Sequence, residues 1–334
     1  MGVEDGSGQG ADVGFTRRGV MGLVGGAALT VVAGGSVRAF LYEKLRWGED
    51  FFPGTPPDIV LEPEAWTTSN EAITFAVLGD NGTGGRNQMD VARQMARTYQ
   101  QTPYGLVLLA GDITYYGSLE SRWEEVFVEP YTPLIDAGVE WELAIGNHEI
   151  SENKSDHAVE EIQAQVRRFG KPGTYYTATH GPMDVFVLDT SIPLATGEGG
   201  PEQIAWLEEV LAASTARWKV ALMHEPPYSS GAHASHLAVR EAVEPLFIEY
   251  GVDVAFSGHD HHYERTTPQS GVVWIVSGAG AKLTRVDGSE FTAHAESTLQ
   301  FMLARIDGDV MDLKAITTDG SVIDQVILEA RSAS

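Results

Sequence analysis

The chain has 334 residues, 43% of them hydrophobic, which is enough apolar content for one large α/β domain or at most two. With 47 acidic and 22 basic side chains its formal net charge is -25, a field that disfavours binding to nucleic acid and to anionic membranes. The same field repels phosphate esters at long range, so a phosphate site has to supply its own positive charge. The sequence has no cysteine, which excludes disulfides, thiolate zinc sites and cysteine nucleophiles.

The N-terminal residues 1–39 have the pattern of a targeting segment. A polar, glycine-rich start leads to a twin arginine at 17–18 and then to a mildly apolar, glycine- and alanine-rich run over 19–35. This order is typical of a twin-arginine export signal, and residues 37–39 resemble a small-residue cleavage site. The apolar run is short for a transmembrane helix, which needs roughly 20 apolar residues.

Three fates of this segment stay open: cleavage after export, retention as an uncleaved membrane anchor through 19–35, and no export. We expect export by the twin-arginine route, with the protein periplasmic or extracellular, or anchored and facing outside. Residues 40–72 contain several prolines and no sustained period, so we interpret them as a connector. From residue 73 to 330 the pattern is that of one continuous domain.

Strand and helix signals alternate through most of this domain. Short apolar runs predict buried parallel strands at 73–79, 106–110, 140–145, 184–189, 218–223, 252–257 and 272–277. Longer runs between them predict helices at 88–100, 158–169, 201–213 and 235–250. The end of the chain differs, because Asp-Gly pairs at 307–308 and 319–320 separate three strand-like runs, a signal for antiparallel hairpins.

Five of the apolar runs stop at a side chain that can bind a metal. These side chains are Asp80, Asp112, Asn147, His224 and His259, with His261 two places after the last. A glycine, which permits a sharp turn and a close approach of the backbone, directly precedes four of the five. In open α/β sheets the functional groups lie just past the carboxyl ends of strands. Singly each residue fits an ordinary turn, but together and in this order they predict one polynuclear metal site.

The order Asp, Asp, Asn-His, His, His-x-His resembles that of the calcineurin-like metallophosphoesterase superfamily. Most members open with Asp-x-His, in which both residues bind the first metal. Here Gly82 stands where that histidine would be, and Tyr115, three residues after Asp112, offers a phenol instead. The pairing of Asp-x-Gly with Gly-Asp-x-x-Tyr resembles the purple acid phosphatases, in which a tyrosinate binds Fe(III) and gives the colour. A phenolate is a hard anionic donor, which suits a trivalent ion.

The resemblance covers roughly residues 73–330 and corresponds to the catalytic domain alone, without the additional β-sandwich of the large plant-type enzymes. It implies a four-layer α/β/β/α metallophosphoesterase sandwich, in which two mixed sheets are flanked by helices and the chain ends in an antiparallel β-meander. It also implies two metal sites that share one aspartate. The first would hold Fe(III) with Asp80, Asp112, Tyr115 and His261. The second would hold divalent Fe, Zn or Mn with Asp112, Asn147, His224 and His259.

Charge counting supports this assignment. Two carboxylates and one phenolate carry three negative charges, fewer than the five positive charges of Fe(III) with a divalent partner. The surplus can bind a phosphate dianion in spite of the acidic surface. A lone tyrosine is more often a packing residue than a ligand, and the adjacent Tyr116 is an alternative to Tyr115.

Other residues are candidates for the substrate side. His148 follows a predicted ligand and is expected to bind phosphoryl oxygen and to protonate the leaving group. His233 and His236 lie in a polar loop and are candidates for the substrate rim, with ordinary surface histidines as the competing interpretation.

Neighbouring side chains are expected to support the ligands rather than to bind metal. His262, Glu264 and Arg265 follow His261 directly and are expected to hold its loop. Glu225, beside a ligand, is expected to face solvent.

The resemblance implies a phosphoric-ester hydrolase that cleaves phosphate monoesters with a metal-bound hydroxide. Its partner would be a small phosphorylated substrate, with no nucleic-acid surface. Phosphodiesterase, nucleotidase or phytase activity at the same metals is the alternative, because substrate choice lies in the rim loops. A non-catalytic phosphate-binding surface protein that kept the fold is a remote alternative.

Overall fold

The computed structural model describes residues 72–151, 158–192, 194 and 200–331. The predicted signal or anchor over 1–39 lies outside these residues, and so does the predicted connector over 40–72 except for its last residue. Both stay predictions. Within the described residues, no helix combines the length and the apolar character needed to cross a membrane.

The described residues form strands and helices in alternation, followed by consecutive strands. The strands are β1 (Ala72–Leu78), β2 (Leu106–Leu109), β3 (Glu140–Leu143), β4 (Tyr176–His180), β5 (Met183–Val187), β6 (Trp218–Leu222), β7 (Val254–Ser257), β8 (Tyr263–Thr266), β9 (Val273–Ser277), β10 (Thr292–Glu296), β11 (Gln300–Asp307), β12 (Val310–Thr317) and β13 (Val322–Glu329). The helices are α1 (Arg86–Gln101), α2 (Leu119–Trp123), α3 (Glu129–Asp136), α4 (Asn147–Ser151), α5 (Ala158–Arg168), α6 (Gly200–Ala213) and α7 (Leu237–Tyr250), with a π-helical turn at Glu124–Val128.

The strands form two mixed sheets. The first has six strands in the order β13-β12-β11-β1-β2-β3, with β1, β2 and β3 parallel and the final three strands antiparallel. The second has seven strands in the order β10-β8-β9-β7-β6-β5-β4, with β5, β6, β7 and β9 parallel. The predicted antiparallel end of the chain is therefore confirmed as strands β11 to β13.

Three apolar layers hold the sheets and helices together. Phe75 and Val77 of the first sheet share a core with Leu222 and Phe256 of the second, which packs the sheets face to face. The outer face of the first sheet packs against α1 to α3, and the outer face of the second packs against α6 and α7. Full burial of each large apolar side chain stabilises the fold by roughly 1.5–3 kcal/mol. The predicted four-layer α/β/β/α sandwich is confirmed.

The predicted strands and helices all exist, and their observed ends lie within two residues of the predicted ones. The sequence did not predict β4, β8, β10 or the helices between residues 119 and 151. Strand β8 was missed because its sequence, Tyr-Glu-Arg-Thr, is polar although three of its four residues are buried. The helical stretch from 119 to 136 was missed because it changes from α to π geometry and carries Pro133 inside α3.

The topology brings the carboxyl ends of five strands to one region. Strands β1, β2 and β3 are parallel neighbours in the first sheet, and β6 and β7 are parallel neighbours in the second. Because the two sheets pack face to face, the loops that follow these strands meet at one edge of the sandwich. All the predicted metal ligands lie in the segments that directly follow these strands, with Asn147 as the first residue of α4.

Candidate metal centre

One group of predicted ligands meets where β1, β2 and β7 end. The Tyr115 hydroxyl donates to Asp80 Oδ1 at 2.9 Å and lies 3.1 Å from His261 Nε2. His261 Nε2 is 3.5 Å from the same carboxylate oxygen. All three side chains are buried. A carboxylate, a phenol and an imidazole thus converge on a volume that one cation could occupy.

A second group meets beside the first. Asn147 Oδ1 lies 2.9 Å from His224 Nε2 and 2.8 Å from His259 Nδ1, and these two ring nitrogens are 3.3 Å apart. The other nitrogen of His224, Nδ1, lies 2.8 Å from the Ala110 carbonyl oxygen. A carbonyl oxygen only accepts, so Nδ1 carries a hydrogen and Nε2 is the nitrogen that a metal would bind.

Asp112 lies between the two groups. Its Oδ1 is 3.4 Å from His224 Nε2, and the candidate ligand atoms of Asp80, Asp112 and His224 all lie within 4.8 Å of one another. The structure therefore brings together all seven predicted ligands around a central carboxylate. Hard oxygen donors predominate in the first group and imidazoles in the second, so the donor set fits two different cations that share Asp112.

Three of these ligands sit on backbone that side chains rarely adopt. Asp80, Asp112 and His259 have φ values of 58°, 54° and 68°, in the left-handed region. Such a conformation costs about 1–3 kcal/mol per residue and persists where surrounding structure enforces it. At each of these positions the strand has just ended, and the left-handed turn directs the side chain into the space between the sheets' ends.

The glycines before the ligands are required by close approach. A Cβ at Gly111 would lie 2.4 Å from His224 Nδ1, and one at Gly146 would lie 2.2 Å from Asp112 Oδ1. Both distances are far inside van der Waals contact, and the neighbouring side chains are two of the predicted ligands. The structure therefore confirms that glycine at these two positions permits a close approach of the backbone.

Gly82 is where the loops after β1 and β2 touch. Its N–H donates to the Asp112 carbonyl at 3.1 Å, and its carbonyl accepts from the Tyr115 N–H at 3.2 Å. A Cβ at Gly82 would lie 2.1 Å from the Ile113 carbonyl oxygen. A side chain at residue 82 and the observed path of the loop that carries Tyr115 are therefore mutually exclusive.

Glu149 supports the centre and was missed by sequence reasoning. Its carboxylate accepts from the N–H groups of Asp112, Thr114 and Gly146 at 3.1, 3.0 and 2.7 Å, which ties the loop after β2 to the loop after β3. Burial and the nearby Asp112 charge raise the pKa of Glu149 to about 7. The signal available in the sequence was its position, two residues after a ligand on the first turn of α4.

The side chains of the metal-free centre have shifted pKa values. Burial opposes the charge on Asp80, but the His261 hydrogen bond and the field of His224 bring its pKa down to about 2. Burial and the two carboxylates, Asp80 and Asp112, raise the pKa of Tyr115. Burial also disfavours a proton on His224, yet Asp112 and Asp80 outweigh it and raise that pKa to about 10. The centre thus favours positive charge beside Asp80 and Asp112.

The three candidate substrate histidines differ in placement. The backbone N–H of His148 donates to Asp112 Oδ1 at 3.0 Å. The half-buried ring of His148 has its centroid 4.6 Å from the centroid of the Tyr115 ring. The exposed His233 ring lies 4.4 Å from the His259 ring, at the rim of the centre. His236 instead caps the N-terminus of α7, where its Nδ1 accepts from the Val239 N–H at 3.2 Å.

The loop that carries His233 is held by acidic side chains that follow the ligand His259. Asp260 Oδ1 accepts from the His233 N–H at 2.9 Å. The carboxylate of Glu264 accepts from both the N–H and the hydroxyl of Ser230, each at 2.7 Å. Glu264 therefore holds the loop that carries His233, in addition to its expected role beside His261.

Arg265 and Glu225 differ from what their positions suggested. Arg265 pairs with Asp324 of β13 at 2.7 Å and so links the two sheets away from the ligands. Glu225 was expected to face solvent, and that expectation is wrong, because its side chain is buried and accepts from the hydroxyls of Thr190 and Ser191. The Thr190 hydroxyl also accepts from the backbone N–H of His224 at 3.3 Å. Glu225 therefore helps to hold the backbone of His224 through Thr190.

A family model and curated relatives match this chain. The model for the calcineurin-like phosphoesterase family matches residues 73–263, more than half of the chain. Human tartrate-resistant acid phosphatase type 5 is 26% identical in an alignment of 257 residues that covers 66% of this chain and 77% of that protein. Purple acid phosphatase 17 of Arabidopsis thaliana is 26% identical in an alignment of 248 residues that covers 66% of this chain and 71% of that protein.

Solved structures share the fold. A purple acid phosphatase from yellow lupin superposes with a TM-score of 0.68 at 19% identity, over 79% of this chain and 55% of that one. GAP50, described as the anchor in the inner membrane complex of Plasmodium, superposes with a TM-score of 0.68 at 16% identity, over 78% of this chain and 90% of that one. The predictions of the family and of a phosphoric-ester hydrolase are confirmed. The chain belongs to the calcineurin-like phosphoesterase family and has purple acid phosphatases among its homologues.

Proposed function

We propose that this protein hydrolyses phosphate monoesters at a binuclear metal centre of the purple acid phosphatase type. The observation that carries the proposal is the position of the Tyr115 hydroxyl, 2.9 Å from Asp80 Oδ1 and 3.1 Å from His261 Nε2. A tyrosine among carboxylate and imidazole ligands is the feature that distinguishes this type from members with Asp-x-His. Homology to acid phosphatases supports the same class of reaction.

The donor set suggests which metal each group prefers. Asp80, Tyr115 and Asp112 offer hard anionic oxygens, which favour Fe(III). Asn147, His224 and His259 offer neutral donors, which favour divalent Fe, Zn or Mn. Bound metals would supply the Lewis acidity that activates water and withdraws charge from the phosphoryl oxygens.

The side chains around the centre have separate tasks in this proposal. His148, adjacent to Tyr115 and half-buried, binds a phosphoryl oxygen and can transfer a proton to the leaving group. His233 is exposed beside His259 and contacts the substrate from the rim. His236, used as a helix cap, is better suited to fixing the rim loop than to contacting substrate.

Metal analysis together with a visible spectrum is the test of the centre. We expect iron bound with a second metal ion, a visible charge-transfer band in the oxidised protein, and loss of that band in Tyr115→Phe. A colourless protein with stoichiometric iron would contradict the tyrosinate assignment. A colourless protein that holds only zinc or manganese would keep the family but remove the purple subtype.

A panel of esters tests the substrate class. We expect faster turnover of small monoesters than of phosphodiesters, nucleotides or phytate. A clear preference for any of these three would replace monoester hydrolysis with the corresponding activity at the same metals. Full metal occupancy with no turnover of any phosphate ester would instead favour a non-catalytic phosphate-binding role.

We also propose that residues 1–39 direct export, because a twin arginine at 17–18 precedes the apolar run over 19–35. Replacing both arginines by lysine should leave the protein in the cytoplasm. N-terminal sequencing of the exported protein distinguishes cleavage from an uncleaved anchor. Export that continues unchanged in the lysine variant would contradict the twin-arginine route.

A further inference from the structure

Lys282 is a buried cation that the predicted ligand set does not include. Its side chain is 3% exposed, and its Nζ lies 3.6 Å from the centroid of the Tyr115 ring. Lysine is rarely buried, because removing an ammonium group from water costs several kcal/mol that nearby negative charge has to offset. The ring that it covers belongs to the residue assigned to Fe(III) in the proposed function.

The backbone before Lys282 is fixed against the segment that follows β1 and carries Asp80. Gly280 N–H donates to the Gly79 carbonyl at 3.1 Å, and a Cβ at Gly280 would lie only 2.4 Å from that oxygen. Asn87 Nδ2 at the start of α1 donates to the Ala281 carbonyl at 3.1 Å. The segment therefore packs tightly against the end of β1, and glycine is needed for that approach.

The backbone after Lys282 is fixed against the loop that carries His261. Thr284 N–H donates to the His261 carbonyl at 2.9 Å, and the Thr284 hydroxyl accepts from the His261 N–H at 3.1 Å. Lys282 is thus held on one side by the segment that presents Asp80 and on the other by the residue that presents an imidazole. Its place over the Tyr115 ring is set by the same backbone that sets the ligands.

We propose that Lys282 is a positioning residue that fixes the Tyr115 ring by its charge and stabilises the electrons of its phenolate. This inference rests on the proposed function, because it concerns the tyrosinate of that centre. A cation within about 6 Å of an aromatic face is attracted by the electrons of the ring, and the attraction grows when the site is dry. A phenolate, which carries a full negative charge, is held more strongly than a phenol.

The consequence is optical as well as structural. Nζ lies over the ring itself. Its positive charge therefore stabilises an electron on the ring more than it stabilises an electron that has moved past the hydroxyl oxygen to a bound cation. Charge transfer from the tyrosinate to a bound cation therefore costs more energy when the ammonium group is present. Removing that charge should move the visible band to longer wavelength.

The test is the visible spectrum of the oxidised, iron-loaded protein with matched iron content. Lys282→Met keeps an unbranched apolar chain of similar length but removes the charge, and we expect its band at longer wavelength than that of the wild type. Lys282→Arg keeps the charge, and we expect its band near the wild-type position. Arg285→Met removes a positive charge three residues further along, from a side chain 85% exposed, and should leave the band unchanged.

The outcomes separate this inference from the proposed function. If the visible band of Lys282→Met lies at the wild-type wavelength, the result contradicts the role of Lys282 and leaves the tyrosinate centre intact. Equal shifts in the Met and Arg variants also contradict it, because they indicate packing rather than charge. Stoichiometric iron without any band in the wild type overturns both proposals. If Lys282→Met does not fold, Lys282→Gln is measured in the same way and is expected to shift the band in the same direction.

Discussion

The candidate centre has two unlike halves on either side of Asp112. We call the closed half the group formed by Asp80, Tyr115 and His261. We call the open half the group formed by Asn147, His224 and His259. Every side chain of the closed half is buried, whereas Asn147 and His259 of the open half are only half-buried and the exposed His233 ring lies against the His259 ring.

The difference teaches how a single site can hold one ion firmly and still admit a substrate. The closed half has buried side chains, with Lys282 over the Tyr115 ring and Gly82 bonded to the loop that carries Tyr115. The open half meets solvent beside His233, where water and a phosphate ester can reach it. We therefore expect the two halves to differ in metal exchange and in tolerance of substitution.

The largest effect should come from removing the residue that both halves share. Asp112→Ala deletes the central carboxylate and the acceptor for the His148 N–H, so we expect loss of both metals and of all measurable turnover. Metal analysis and phosphate-ester hydrolysis measure this directly. Asp309→Ala, at an exposed position, is the matched control. Retention of one full equivalent of metal in Asp112→Ala would show that the halves are independent.

His148→Ala should lower turnover without emptying either half. Its backbone N–H still bonds Asp112, so we expect both metals to stay while kcat falls by about 10²–10⁴-fold, the range for a lost proton donor. The fall should be larger for alkyl phosphates, whose leaving groups need a proton, than for nitrophenyl phosphate. His294→Ala on β10 serves as the control. Full activity on alkyl phosphates would contradict the proposed role.

Chelation tests the comparison of the halves most directly. A mild chelator should remove the ion of the open half first, because two of its three ligands reach solvent. Activity should then disappear while iron content and the visible band persist. Re-addition of Zn²⁺ or Mn²⁺ should restore turnover. Simultaneous loss of activity, iron and colour would mean that the closed half is not more strongly protected.

The smallest effect should come from Glu149→Gln, which weakens the link between the loops that bear the two halves. An amide accepts with one oxygen where the carboxylate uses two, so at least one of the three N–H donors loses its partner. We expect the free energy of unfolding to fall by about 1–3 kcal/mol in urea titration, with metals still bound. Glu120→Gln, at an exposed site, should change it little. An unchanged unfolding midpoint would contradict the bracing role.

Much of this molecule could be predicted from apolar runs and their end points. The runs that end at Asp80, Asp112 and His224 are buried parallel strands, because a strand covered on both faces needs apolar side chains throughout. The ligand-bearing loops could be predicted for the same reason, since parallel strands deliver their carboxyl ends to one edge.

What could not be predicted depends on partners far away in the sequence. Glu149, Glu225 and Lys282 are charged residues whose burial depends on groups between 35 and 167 positions away. Strand β8 is polar, and its burial comes from its neighbours β9 and β10 rather than from its own side chains. Local pattern does not contain such information, because periodicity reports only on which face of an element is apolar.

The contact at Gly82 has a consequence for how this type of centre can change during evolution. A histidine at residue 82 would restore the Asp-x-His pattern, but its Cβ would overlap the Ile113 carbonyl in the loop that presents Tyr115. Neither substitution alone converts one centre into the other: Gly82→His displaces the loop that presents the tyrosine, and replacing Tyr115 removes the phenol without supplying an imidazole. The two centre types are separated by a coupled change in two loops, so intermediates between them should bind metal poorly.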